Sequence, residues 1–218
     1  MSLSAEILPE PQGRNRRNPE ATRASILAAA RMEFAAKGLE GARVDQIARR
    51  AKVNKQLVYY YFGSKDDLYR AALEATYTEI RALERELDLS ALPPREAMAR
   101  LIDFSLDYLR EHPDFIRMLA DENAHGAAHV RGSEMALRTN SPLLDLIAET
   151  LRRGEREGVF RGGVDPLELY VSVAGMTFFY FANGLTMSAI FGRDLTRSDA
   201  IASYRNHIVT LTLNGLTP

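Results

Sequence analysis

The 218-residue sequence contains no cysteine. That absence excludes a disulfide framework, a thiolate nucleophile, cysteine-ligated zinc and iron–sulfur clusters. Glycine and proline, at 14 and 9 residues, are ordinary in number, so collagen-like and low-complexity classes fall away. There is no Gly-rich phosphate loop, G-x-S-x-G elbow or H-E-x-x-H pair, and an enzyme reading finds nothing to assemble from. The first 11 residues are polar, carry Glu6 and Glu10, and hold no apolar run long enough for a signal peptide, which predicts a cytoplasmic protein. What is present is apolar content. With 46% hydrophobic residues against 26% charged ones, the chain can bury a sizeable core, as one larger domain or as a small domain joined to a bigger one.

Residues 169 to 192 form a stretch of 24 positions without a charge, long enough to cross a bilayer. Ser172, Thr177, Asn183, Gly184, Thr186 and Ser188 dilute it, no cluster of Lys or Arg flanks it closely, and its aromatics (Phe178, Phe179, Tyr180 and Phe181) lie in the middle rather than at the ends. A helix buried on every side by its own domain and a partner subunit accounts for this better than a membrane does. The net charge of −1 is unevenly spread: residues 1 to 70 hold 13 Lys and Arg against 8 Asp and Glu, and all four lysines, Lys37, Lys52, Lys55 and Lys65, fall there. A basic first third on an acidic body suits a nucleic-acid module, because attraction to phosphate is screened within about 10 Å. Charge gathered for solubility would look the same, so local pattern has to decide.

Strand signals are nearly absent, and helix punctuation recurs. Asn18, Pro19 and Glu20 read as cap, first-position proline and first-turn acid of a helix with Ile26, Leu27, Ala30 and Phe34 on one face and Gly38 as its stop. Val44, Ile47, Ala48 and Ala51 mark a short second helix, and Asn54 caps a third, with Val53 and Val58 as a hydrophobic staple. A fourth starts at Ser64 and runs towards Leu87. After Pro93 and Pro94, the stripe Met98, Leu101, Ile102, Ser105 and Leu109 gives a helix closed at His112-Pro113, where another begins. Ser141-Pro142 is expected to open a helix through Leu143, Leu144, Ile147 and Leu151, followed by a turn region over residues 154 to 163. Asp165-Pro166 opens the apolar helix, and Ser198-Asp199 the last, with Ile201, Tyr204, Ile208 and Leu211 as its stripe and Gly215 as its stop. The fold class is all-α, with about nine helices.

Two short helices across a tight turn, with a third packed on them, make a helix-turn-helix. If Val58 and Phe62 turn inward, Lys55, Gln56, Tyr59 and Tyr60 share the opposite face of the third helix. That face is almost wholly hydrogen-bonding. Gln can bond an adenine edge in the major groove, Lys a guanine edge or a phosphate, and tyrosine hydroxyls position a module on phosphate oxygens. Arg43 at the start of the second helix adds a phosphate-binding charge, Arg14, Arg16 and Arg17 form a flexible basic arm, and Asn54 and Lys65 complete the candidate DNA contacts. A solvated face with tyrosines packed between helices is the plain alternative.

The segment GARVDQIARRAKVNKQLVYYYFGSKDDL, residues 41 to 68, resembles the N-terminal signature of the TetR family of bacterial transcriptional regulators. It departs from that pattern in having Lys52 for the usual turn glycine, Asn54 for the usual serine, and Arg43 where a threonine commonly contacts phosphate. Lys52 in the glycine's place costs about 1 kcal/mol if the turn needs a positive φ. Further on, HPDFIRMLADEN (112 to 123) and GEREGVFRGGVDP (154 to 166) are similar to a branch of the family with regulators of pyrimidine and nicotinate breakdown. The resemblance implies a homodimer through the last two helices, about 166 to 191 and 198 to 214, and a small-molecule cavity enclosed by the helices before them.

Candidate lining residues for that cavity are Phe104, Tyr108, Asn123, Met176, Phe179, Tyr180 and Asn183, since pockets combine aromatic walls with a few polar groups. An apolar stripe at helical spacing is equally a plain core, and Asn183, an amide amid an apolar helix, is the sharpest member of the set. Asp121, His125 and His129 fall four apart, with Glu122 beside them, and could offer metal ligands on one helical face, although Gly126 weakens that helix. No metal or other cofactor is assigned. The expected organisation is a basic arm over residues 1–17, a DNA-binding head over 18–63 and an effector-binding, dimerising body over 64–218. The expected function is a ligand-responsive homodimeric repressor, with double-stranded operator DNA and a small-molecule effector as partners and no membrane. The alternative is a small-molecule- or metal-binding helical enzyme or sensor without DNA affinity.

Overall fold

The computed structural model describes residues 18–131 and 133–218, and among these the regular structure is helical throughout. α1 (Pro19–Gly41) begins where expected, with the Asn18 side chain accepting from the Glu20 N–H at 3.0 Å. Its continuous part ends at Gly38, whose φ of 67° breaks the helical run. α2 (Val44–Arg50) and α3 (Lys55–Phe62) follow, then α4 (Lys65–Glu86), capped by Ser64, whose hydroxyl accepts from the Asp67 N–H at 3.0 Å. A 3₁₀ turn (Leu89–Ala91) leads to α5 (Pro94–Glu111) and, across His112, to α6 (Pro113–Ala124). α7 (Glu134–Arg156), α8 (Pro166–Phe191) and α9 (Ser198–Leu216) complete the body.

Two expectations are corrected here. Pro142 lies inside α7 rather than at its start: the helix begins at Glu134, before the apolar stripe that marked it in the sequence. Residues 154 to 156 are helical rather than part of a turn. Gly154 is a glycine because the buried Phe160 ring folds back onto it, where any Cβ would collide with the ring.

The apolar residues gather in separate cores. One joins Ile26, Phe34, Ile47, Val58 and Phe62 of the first three helices to Leu68, Tyr69 and Leu73 of α4 and Met118 of α6. The head's core therefore runs past residue 63, and the first turns of α4 belong to both parts of the molecule. A second core, including Met98, Ile102, Leu106, Leu151, Phe160 and Ile208, holds α5, α7, α8 and α9 together. A third, around Ile80, Tyr108 and Phe115, packs α4 against α5 and α6. α8 is long and apolar enough to cross a membrane by length and composition. It lies against α5, α6, α7 and α9, and along it Leu167, Val171, Phe179, Leu185, Ile190 and Phe191 are exposed.

Candidate functional site

The α2–α3 turn is built by backbone geometry. Lys52 takes a φ of 56°, and the Val53 N–H donates to the Ala48 carbonyl at 2.9 Å, closing the end of α2 in a Schellman arrangement. The positive φ that the usual glycine would supply is thus adopted by a lysine. Asn54 then caps α3, its side chain accepting from the Leu57 N–H at 2.7 Å. With both ends held, α3 buries Val58 and Phe62 and leaves Lys55, Gln56, Tyr59 and Tyr60 outside, Tyr60 at 82% exposure. The Lys55 ammonium stands over the Tyr59 ring, 5.9 Å from its centre, so the charge and the phenol share one patch.

Other candidates sit differently. Arg43 is exposed at the N-cap position of α2, with no side-chain cap bond, next to unpaired backbone N–H groups. Lys65 is half-buried and donates to the Glu40 carbonyl at 3.1 Å, tying the start of α4 to the end of α1. Arg14, Arg16 and Arg17 lie outside the described residues.

α1 and α4 are tied to α6 by a polar latch. Asp121 Oδ2 accepts from the Leu39 N–H at 2.9 Å and from the Tyr69 hydroxyl at 3.0 Å, and that hydroxyl lies 3.2 Å from the Met118 carbonyl. Burial, then the Asp121 carboxylate, raises the Tyr69 phenol above its ordinary pKa, so it stays a donor. Gly38 is required beside it, because a Cβ there would sit 2.6 Å from Asp121 Oδ1 on a backbone already at positive φ. Arg31 of α1 adds a second tie, pairing with Glu79 of α4 at 2.6 Å and Asp114 of α6 at 2.5 Å.

These contacts also reassign the proposed metal ligands. α6 ends at Ala124, and Gly126 and Ala127 both take positive φ, so residues 121, 125 and 129 do not share a helical face. His125 Nδ1 lies 2.8 Å from the Asp121 carbonyl instead, a contact that raises the exposed ring's pKa. The buried Glu122 accepts from the backbone N–H groups of His129 and Val130 at 2.7 and 3.0 Å, and the His129 ring Nδ1 lies 2.9 Å away. Among the described residues no group of three or more His, Asp or Glu side chains is arranged to hold a metal ion.

A cavity of about 350 Å³ opens between α4, α5, α6, α7 and α8. Of the seven candidate lining residues, only Asn123 reaches it. Tyr108 is buried in the third core and stacks on His112, with Phe104 packed beside it. Tyr180 stacks on Tyr204 at 4.1 Å and donates to the Leu195 carbonyl, and the Met176 carbonyl accepts from the Tyr204 hydroxyl. Phe179 is 53% exposed, and the Asn183 amide donates to the Phe179 carbonyl within its own helix. The face of α8 that does line the cavity carries Leu169, Tyr170, Val173, Ala174, Thr177 and Phe178.

The charged members of the wall escaped the sequence reading. Arg81 and Glu84 on α4 form an ion pair with side chains only 5% and 7% exposed, and Arg81 also donates to the Tyr170 hydroxyl at 3.3 Å. Burial pushes the Glu84 carboxyl up while Arg81 pulls it down. Burial likewise raises the Tyr77 phenol to about 12. Asn123, Leu119 and Phe115 face the cavity from α6, the helix whose other side carries Met118 and the Asp121 latch.

A family model described as bacterial regulatory proteins, tetR family, matches residues 26–72, and one described as Tetracyclin repressor-like, C-terminal domain, matches residues 94–211. The chain belongs to the TetR family. This regulator is 34% identical over 195 residues to the HTH-type transcriptional repressor NicS of Pseudomonas putida, which covers 89% of this chain and 92% of NicS. It is 42% identical over 105 residues to the HTH-type transcriptional repressor SCO4008 of Streptomyces coelicolor, a match covering 47% of this chain and 50% of that protein. Its fold resembles the crystal structure of SCO4942 from Streptomyces coelicolor, with a TM-score of 0.67 and 26% identity over 89% of this chain and 98% of that one. Like the family, this TetR regulator is a DNA-binding transcription factor and not an enzyme.

Proposed function

We propose that the protein is a cytoplasmic, homodimeric repressor that holds a near-palindromic operator through two copies of α3 and releases it when a small molecule fills the cavity between α4 and α8. The observation that carries this reading is the exposed Lys55, Gln56, Tyr59 and Tyr60 face on a helix capped at both ends, set on a core shared with the cavity-bearing helices. Residues 18–63 act as the reading head and 64–218 as the body that senses and dimerises. The head's own charges, with Arg43 beside the α2 N-terminus, supply phosphate contacts, and Gln56 is placed to read a base edge.

Dimerisation rests on the uncovered apolar side of α8 with Leu211 of α9, which is 52% exposed. Paired with its two-fold copy, that surface forms a four-helix contact and sets the distance between reading heads. α6 couples the sites: a ligand against Phe115, Leu119 and Asn123 shifts a helix whose far side is bonded to Leu39 of the head and to Tyr69 in the first turns of α4. Such a ligand acts only if it favours one head spacing over the other.

The experiment is selection of binding sites from a random duplex pool, first at low and then at physiological salt. An inverted repeat that survives the higher salt supports the reading. Binding that enriches no sequence and vanishes with salt, in protein shown by mass spectrometry to carry no co-purified ligand, refutes it.

A further inference from the structure

We propose that the cavity selects a planar, uncharged heterocycle of about two fused rings that presents an N–H donor beside a carbonyl acceptor, bound edge-on by Arg81 and Glu84. The inference rests on this cavity being the effector site. Its walls are chiefly aliphatic, with the aromatic rings of Tyr77, Phe115 and Phe178 among them, which suits a flat ligand.

The choice of charge follows from the ion pair. Among the described residues Arg81 and Glu84 are the charged side chains that line the cavity, they are opposite in sign, and both are almost fully buried. The site is therefore net neutral before anything binds. A ligand carboxylate would draw the guanidinium from Glu84 and leave an anion without its partner in apolar surroundings. A ligand cation would compete with Arg81 for the Glu84 carboxylate and add an uncompensated positive charge to the same apolar surroundings. A lactam-type edge avoids both penalties, since its N–H donates to the Glu84 carboxylate, its carbonyl accepts from the Arg81 guanidinium, and the net charge stays zero. The Tyr170 hydroxyl, held by Arg81 at 3.3 Å, restrains the guanidinium from the α8 side. The geometry also explains why two costly charges stand in an apolar wall: together they recognise a donor–acceptor edge that aliphatic side chains cannot.

The test uses the full chain and three bicyclic probes of matched size, followed by their own fluorescence: 2-quinolone (neutral, with a lactam edge), 2-naphthoate (anionic) and naphthalene (no polar edge). Wild-type protein is expected to bind 2-quinolone at least about ten-fold more tightly than either of the others. In Glu84→Gln the guanidinium loses its compensating charge, and the preference is expected to pass to 2-naphthoate. Wild-type protein that prefers 2-naphthoate, binds naphthalene as well as 2-quinolone, or binds none of the three overturns the proposal. The wild-type ranking decides even if Glu84→Gln does not fold, which circular dichroism would reveal.

Operator affinity measured with and without each probe separates this inference from the function it rests on. The expected ranking combined with unchanged operator affinity supports the cavity chemistry and refutes effector-driven release. Release of the operator by 2-naphthoate rather than 2-quinolone does the reverse.

Discussion

α3 and α8 stand at opposite ends of a scale. α3 has eight residues, two of them buried, and a hydrogen-bonding face turned to solvent. α8 has 26 residues, no charge after Glu168, and apolar side chains on every side. A helix with a strong contrast between its faces announces what each face does. One that is apolar all round hides the division, although here it separates a cavity side from an uncovered side. Five substitutions probe that contrast.

The largest effect is expected on α8. Leu185→Glu places a charge at a position 80% exposed in the single chain but, in the proposed dimer, against its own copy. Two unpaired carboxylates facing each other should weaken the dimer by about 3 kcal/mol or more, roughly 100-fold in association. Sedimentation should then show monomer with unchanged helical content, and operator affinity should collapse with it. A variant that remains dimeric removes this surface from the interface.

Next comes the latch. Asp121→Ala removes the acceptor of the Leu39 N–H and one of the two oxygens near the Tyr69 hydroxyl, at a cost of about 2 kcal/mol in thermal unfolding. Ligand binding in the cavity should persist while its effect on operator affinity shrinks. If coupling is intact in the folded variant, α6 does not transmit through this contact.

On α3, Lys55→Ala and Tyr60→Phe should each weaken operator binding by about 1.5 kcal/mol without altering melting temperature or dimerisation. If Lys55 touches phosphate only, its loss lowers the salt dependence by about one unit and leaves sequence preference alone. Unchanged affinity in both variants would deny this face its role.

The smallest effect is a gain. Lys52→Gly relieves a lysine held at a φ of 56° and should stabilise the head by about 1 kcal/mol in thermal unfolding. No gain would mean that the lysine's own interactions offset the strain.

The helix-turn-helix was legible because its signals are local: an apolar stripe from Val44 to Ala51, a cap at Asn54, and an inside–outside pattern within eight residues. The cavity was not legible, for two reasons. Uniformly apolar α8 gives no sign of which face lines the cavity, and Met176, Phe179, Tyr180 and Asn183 lie off that face by about one helical step. Arg81 and Glu84 stand three apart on α4, a spacing common to surface pairs, and only α7 packing against α4, with Tyr170 of α8 reaching Arg81, reveals that they are buried. Asp121 was noticed as a metal ligand, yet its partners lie 82 and 52 positions away, beyond any local pattern.

The Asp121 joint bears on how such proteins diversify. One carboxylate on the body holds a backbone N–H of the head and the Tyr69 phenol in the first turns of α4, where the two parts share a core, and fits only against a glycine at position 38. A head transplanted from a relative would have to bring its own glycine to meet that carboxylate, or the chimera would recognise one operator and answer to no signal. The joint therefore limits recombination: a new operator specificity is reached by changing α3 in place more readily than by exchanging whole heads.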